Sequence, residues 1–189
     1  YPIAQKYYLE SLTLGRALDD RYTMSISLCS LGITVFQAGN LEEAEACYQE
    51  SMALSRKLNR KTTISLLHCY QGLLALARNQ INLASESFQA GLVIAFESNM
   101  KAYTIYNLIG CACVSVAESK FARAGVLLGV ANAISEAIGF KIEPELRRPY
   151  NQTLQAIKES LGEEAFQAAW LRGQAMTLEE ASEFASAET

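Results

Sequence analysis

This sequence holds little of what ends or staples a chain. Its 189 residues include three prolines, one tryptophan and one histidine. With 50% hydrophobic and 19% charged residues, that scarcity excludes collagen-like, low-complexity and disordered classes. The five cysteines (Cys29, Cys47, Cys69, Cys111 and Cys113) are odd in number and form no CxxC pair. On a helix Cys111 and Cys113 point in different directions, so reduced, buried thiols in a cytosolic protein are expected. No uncharged apolar run reaches about 18 residues, and no signal-peptide pattern opens the chain. Charge of one sign is scarce too. Residues 1–140 carry 11 basic and 11 acidic side chains, so the net charge of −4 arises in residues 141–189, which carry 5 and 9. A neutral body with an acidic tail argues against nonspecific nucleic-acid binding and against a polybasic membrane surface.

Recognisable reaction chemistry is also missing. The chain has no GxxxxGKS/T phosphate loop, no GxSxG, no HExxH and no dinucleotide fingerprint. His68 stands inside an apolar-rich segment and reads as a satisfied core histidine. A zinc site built on His68 and Cys69 would need further ligands at suitable spacing. The pairs Glu163-Glu164 and Glu179-Glu180 fall at helix starts, where carboxylates are expected as partners of the helix dipole. Neither an enzyme nor a cofactor or metal is expected.

What is present is a repeat. Ala4, Ala44, Ala84 and Ala124 stand forty residues apart. Four positions after them come Tyr8, Tyr48, Phe88 and Leu128. The small residues Ser11, Ser51, Gly91 and Ala131 follow, then Leu14, Leu54, Ile94 and Ile134. Three positions before the alanines stand Tyr1, Leu41, Ile81 and Phe121. These offsets trace one face of a helix. A second apolar helix precedes each, at 22–38, 62–78 and 102–118. The turns fall at Gly39-Asn40, Asn79-Gln80 and Ser119-Lys120, residue types that suit a helix C-terminus. The unit is helix, short turn, helix, and stacking supplies each unit's missing half-core. Gly32 and Gly72 lie mid-helix, where a close approach between the two helices of a unit would offset their cost of about 1 kcal/mol each. Gly125 and Gly129 read the same way.

These residues resemble the tetratricopeptide repeat. Leu31-Gly32, Ala44 and Tyr48 match its Leu-Gly, Ala, aromatic pattern. The second unit keeps Gly72, Ala84 and Phe88, and the third keeps Ala124, with Ala112 in place of the glycine. The chain departs from the family in its period of 40 instead of 34. It also has Leu28, His68 or Leu108 where the early Trp is usual, and no closing Pro. HEAT-like packing is the minor alternative. The resemblance implies an all-α, right-handed superhelix of tetratricopeptide-like helix hairpins with a helical C-terminal cap. The expected organisation is a repeat array over 1–140, with a partial unit at about 1–20 and full units at 21–60, 61–100 and 101–140, followed by a cap at 141–189. Because Tyr1 already lies within an amphipathic pattern, the chain reads as a segment of a longer polypeptide.

Residues 143–189 break the period. Tyr150, Leu154, Ile157 and Leu161 form one stripe, stopped by Gly162. Ala165, Phe166, Ala169 and Trp170 form another. Thr177 to Glu180 reads as a capping box opening a third helix, with Leu178, Ala181 and Phe184 on its apolar face. The run Leu127 to Ala131, with Leu161 to Phe166, Ala169-Trp170 and Ala175 to Ala181, resembles the C-terminal helical region of bacterial STAND-type signal-transduction ATPases and LuxR-type regulators. That resemblance implies a cytoplasmic sensor or interaction role and carries no catalytic residue onto this segment.

Two surfaces are candidates for that role. In the tetratricopeptide arrangement the first helix of each unit lines a concave groove. In this register the lining is Ile26, Cys29, Ile33 and Phe36, then Leu66, Cys69, Leu73 and Leu76, then Tyr106, Ile109, Cys113 and Val116. So apolar a patch needs cover: tail helices or tight curvature, a second chain, or a peptide or small apolar ligand. Arg21, Lys61, Lys101 and Lys141 also recur at the repeat period. They read as cations near helix C-termini, or as a basic rim for an acidic segment or a phosphate. The expected function is a noncatalytic protein-interaction or sensor domain of a larger bacterial signalling or transcription regulator. Its partner would be a protein or peptide, including a second copy of the chain. A domain that captures a small-molecule inducer and a dimerisation module are the alternatives.

Overall fold

The computed structural model describes residues 2–187. Among them are nine helices and no strand. α1 (Pro2–Ala17) is followed by three hairpins: α2 (Arg21–Gln37) with α3 (Leu41–Lys57), α4 (Lys61–Ala77) with α5 (Ile81–Glu97), and α6 (Lys101–Ala117) with α7 (Phe121–Ile138). α8 (Pro144–Gln174) and α9 (Leu178–Ser186) complete the chain. Each helix packs on its successor from α1 to α8, α4 also packs on α6, and α8 and α9 close over α7 and α5. The fold is an all-α superhelix of tetratricopeptide-like hairpins with a helical cap.

A regular turn explains the regular spacing. Asp19, Gly39, Asn59, Asn79, Asn99, Ser119 and Gly139 all take positive φ, one residue in every twenty. At each, two amides return to the helix just finished. Gly39 N–H donates to the Phe36 carbonyl at 2.9 Å and Asn40 N–H to that of Val35 at 3.0 Å. This is the two-bond Schellman closure, which satisfies carbonyls otherwise left open. The forty-residue period is therefore two equal halves, each a 17-residue helix from α2 through α6. Compared with a 34-residue unit, about three residues are added per helix, a little under one turn. Among the repeat helices α2 to α7, side-chain caps support only α2 and α3. Asp20 accepts from the amides of Tyr22 and Thr23, and Asn40 from that of Glu43.

The columns of the repeat face the core. Ala44, Ala84 and Ala124 are fully buried, as are Tyr48, Phe88 and Leu128. The rings of Tyr48 and Phe88 lie against Gly32 and Gly72 of the preceding helix. A Cβ on either glycine would stand 2.6 Å from the ring. The small column marks another crossing, where Ser51 Oγ donates to the Ser25 carbonyl at 2.7 Å. In the next unit the polarity is reversed, and Ser65 Oγ donates to the Gly91 carbonyl at 2.8 Å.

The glycines of α7 correct one expectation. Gly125 and Gly129 face α8 and not the unit partner α6: Gly125 meets the Ala169 Cβ, and Gly129 the Trp170 carbonyl and Gly173. α7 has no further hairpin beyond it, so the tail takes that side, and two helices this close leave no room for a Cβ at the contact. The first two expected tail segments are the arms of α8, bent at Gly162 (φ 73°, ψ 170°). The Thr177 capping box opens α9: Thr177 N–H donates to Glu180 Oε2 at 2.8 Å and Glu180 N–H to Thr177 Oγ1 at 3.2 Å. On α9 the buried residues are Ala181 and Ala185, whereas Leu178 is exposed.

Candidate functional site

The apolar stripe on α2, α4 and α6 is unevenly accessible. Ile26 is exposed. Ile33, Phe36, Leu66, Leu76, Cys113 and Val116 are half-buried, and Cys29, Cys69, Leu73, Tyr106 and Ile109 are buried. Part of that burial is lateral packing between first helices. Cys69 Sγ on α4, for example, lies 3.7 Å from the Tyr106 carbonyl oxygen on α6.

The rest comes from the chain itself. After Gly139 the backbone leaves the repeat, and its next residues lie against three first helices in turn. The Phe140 ring packs on Tyr106 at 5.7 Å between centroids. Glu143 stands against the Tyr106 phenol, and burial together with this carboxylate raises that phenol's pKa. Burial raises the Tyr70 phenol too, with Glu145 adding to the effect. The Glu145 carbonyl accepts from Gln37 Nε2 on α2 at 3.3 Å. Leu146 is fully buried, and further along α8 Thr153 Oγ1 lies 3.1 Å from Cys113 Sγ. Residues 140–153, which carry Lys141, Arg147 and Arg148 as well as Glu143 and Glu145, thus form a strap whose apolar and acidic side chains Phe140, Glu143, Glu145 and Leu146 lie toward α6, α4 and the end of α2.

The strap leaves the first turns of α2 open. There Tyr22 is exposed, with Ile26 one turn on. The Arg60 guanidinium lies 4.1 Å from the centre of the Tyr22 ring, a distance at which the ring face attracts a cation. Arg60 Nε also donates to Thr63 Oγ1 at 3.3 Å. Tyr103 is half-buried nearby; its phenol pKa is raised by burial and by Glu143, and opposed by Arg60. Tail helices were one expected cover for the stripe, and the start of α8 supplies part of it; Tyr22, Arg60, Tyr103 and the part played by residues 140–143 were passed over. The available signal was that Tyr22 lies one turn before Ile26 on the same stripe.

The basic recurrence needs a correction. Arg21, Lys61 and Lys101 are the first residues of α2, α4 and α6, so they open helices instead of closing them. The reason is the brevity of the turn, which brings the next helix in before the cation. At an N-terminus the cation opposes its own helix's dipole. All three are exposed, as is Lys141, which lies outside any helix. Arg21 Nε lies 3.6 Å from Asp19 Oδ1, and among the described residues Lys61, Lys101 and Lys141 make no ion pair.

The reactive groups are held in unreactive settings. The five cysteines are free, and four are buried. Burial pushes the Cys29 and Cys111 thiols up to about 12 and those of Cys47 and Cys113 up to about 11. His68 departs from the satisfied core residue expected: it is half-buried on α4 and makes no hydrogen bond among the described residues. Burial, with Arg56 nearby, lowers its pKa. Among the described residues no group of three or more His, Cys, Asp or Glu could hold a metal ion. A polar cleft of about 580 Å³ between α5, α6, α7 and α9 contains Glu86, Glu118 and Lys120, the last two paired at 3.1 Å. α7 is long and apolar enough to cross a membrane by length and composition, but half of it is buried against its neighbours.

A family model described as tetratricopeptide repeat matches residues 1–57, the stretch holding α1, α2 and α3. The chain therefore contains a tetratricopeptide-repeat region, a kind of repeat that generally mediates protein–protein interaction and is typically noncatalytic. No curated protein matches the chain.

Proposed function

We propose that this chain is the noncatalytic interaction and sensor segment of a larger cytoplasmic bacterial regulator, and that it binds an acidic–apolar peptide segment of a protein partner on its concave face. One observation carries the reading: the chain's own Phe140–Leu146, with Phe140, Ile142 and Leu146 and with Glu143 and Glu145 beside Lys141, lies on this face, and Tyr22 and Ile26 stay exposed beside it with the half-buried Arg60 on the Tyr22 ring. Arg60 supplies the positive charge that an acidic segment needs, and Tyr22 and Ile26 supply the apolar contact. The regulator context rests on the resemblance of the repeats and tail to STAND-type and LuxR-type proteins. A bound segment would bias an attached switch only by preferring one of its states.

A displayed peptide library panned against the chain tests this. Acidic–apolar sequences should be enriched, and their affinity should fall roughly tenfold or more with Arg60→Glu, as for other charge-reversed contacts. Absence of enrichment, or binding indifferent to Arg60→Glu and to Ile26→Glu, overturns the reading. A dimer buried through Ile26 in light scattering does so as well.

A further inference from the structure

The repeat builds the same cleft twice, and an ion pair closes only the first. One cleft lies between α3, α4 and α5, the other between α5, α6 and α7. Their walls correspond at the forty-residue period. Glu45 is matched by Ser85 and Arg78 by Glu118, while Gln80 and Leu83 are matched by Lys120 and Arg123. In the first cleft Arg78 Nη1 reaches across to Glu45 Oε2 at 2.7 Å, and the space left is about 190 Å³. In the second a glutamate and a serine stand in those two places, so this clasp cannot form, and the space is about 580 Å³.

The open cleft offers charge of both signs. On α5 the Glu86 carboxylate has no ion pair or hydrogen bond among the described residues, and the Asn82, Ser85 and Gln89 side chains have no hydrogen bond there either. The start of α7 supplies the cations. Arg123 is held in place, donating to the Ala185 carbonyl at 3.0 Å and lying 5.0 Å from the centre of the Phe184 ring. Lys120 pairs with Glu118 at 3.1 Å, but both side chains are partly exposed, and so exposed a pair is readily exchanged. Lys120 is also the N-cap of α7, where no side chain caps the helix, so a carboxylate on Lys120 would meet the favourable end of the helix dipole as well.

We propose that this cleft binds a small zwitterion of the amino-acid class, with its ammonium group on Glu86 and its carboxylate on Lys120. A ligand of single charge does not suit the walls. A simple anion meets the unpaired Glu86, and a simple cation meets Lys120 and the fixed Arg123. A zwitterion satisfies both sides at once. Asn82, Ser85 and Gln89 then offer hydrogen bonds to a polar side chain, and the volume lies within the range of small-molecule sites. The cleft shares no residue with the concave stripe or the strap, and the inference does not depend on what binds there.

The first cleft supplies the control. L-glutamine, L-arginine and L-glutamate are each added at 10 mM, on the order of a weak site's requirement, to the full chain during thermal unfolding. At least one should raise Tm by about 2 °C or more. Its N-acetyl form, which lacks the ammonium group, and its amide, which lacks the carboxylate, should not. Glu86→Gln should abolish the rise. Ser85→Glu with Glu118→Arg transplants the clasp of the first cleft, and should also abolish it while leaving the Tm without ligand unchanged or higher. Amide NMR shifts on titration should centre on residues 82–89 and 118–123. The proposal is overturned if none of the three amino acids raises Tm, or if the blocked forms act as well as the free one. It is equally overturned if Glu86→Gln still responds, or if the amide shifts fall outside the cleft.

Discussion

The ring of Phe88 occupies the space a side chain on Gly72 would need. A Cβ built there would stand 2.6 Å from ring carbons Cε1 and Cζ. Gly110 of α6 closes on the same ring from the following unit. One aromatic side chain thereby fixes the spacing of α4, α5 and α6.

Gly72→Leu should therefore destabilise the chain by about 1–3 kcal/mol or more, the range for overpacking a filled core. In the Phe88→Ala background, itself costing about 3–5 kcal/mol, the leucine should cost much less because the ring it meets is gone. Urea unfolding of the two single variants and the double variant measures the coupling.

The strap gives a second prediction. Leu146 is 1% exposed and belongs to the core. Leu146→Ala should cost about 2–5 kcal/mol and should increase binding of an apolar fluorescent dye as the concave face opens. Full stability with unchanged dye binding would mean that the strap is not seated on this face.

His68 gives the stability a pH dependence of known sign. Its folded pKa lies below the ordinary 6.5 because burial, with Arg56 nearby, disfavours the cation. Above 6.5 both folded and unfolded chains hold it neutral and its contribution is complete. As the pH falls below 6.5 the unfolded chain takes up a proton that the folded one resists, and stability is lost down through the folded pKa. Thermal unfolding between pH 8 and pH 5 should show this fall, and His68→Gln should flatten it.

The thiols should be inert in the folded chain. With the Cys47 and Cys113 pKa values near 11 and those of Cys29 and Cys111 near 12, about 0.1% or less of each of these is thiolate at pH 8. A disulfide reagent should react slowly with native protein and rapidly with all five thiols in urea. A fast native phase of one equivalent would contradict this.

The capping box should matter locally. Thr177→Ala removes the acceptor for the Glu180 amide and should cost about 1 kcal/mol. Because α9 is short and terminal, the loss should show as faster amide exchange at Ala181 and Ala185 before it shows in global unfolding.

The repeat was legible because helix and turn chemistry are local. The alanine and aromatic columns recur on one helical face, and the Schellman turns need a residue at ease with positive φ. Asp19, Asn59 and Asn99 belong to that same series, a twenty-residue rhythm that the sequence carries openly but that the forty-residue columns overshadowed. That tail helices could cover the stripe was legible, but the residues that do so were not. Phe140, Ile142 and Leu146 read as an ordinary apolar linker, and nothing local says that Glu145 will meet Gln37 across more than a hundred residues of chain. The partner of Gly125 and Gly129 was misassigned for the same reason, since a glycine announces a close approach and not the identity of what approaches.

Periodic side chains, through helix geometry and turn sterics, were enough to determine the hairpin, its length and the stacking of one hairpin on the next. Tertiary packing alone decided which faces stayed open, because burial depends on where distant segments come to rest: α8 on α7, and residues 140–146 across the first helices.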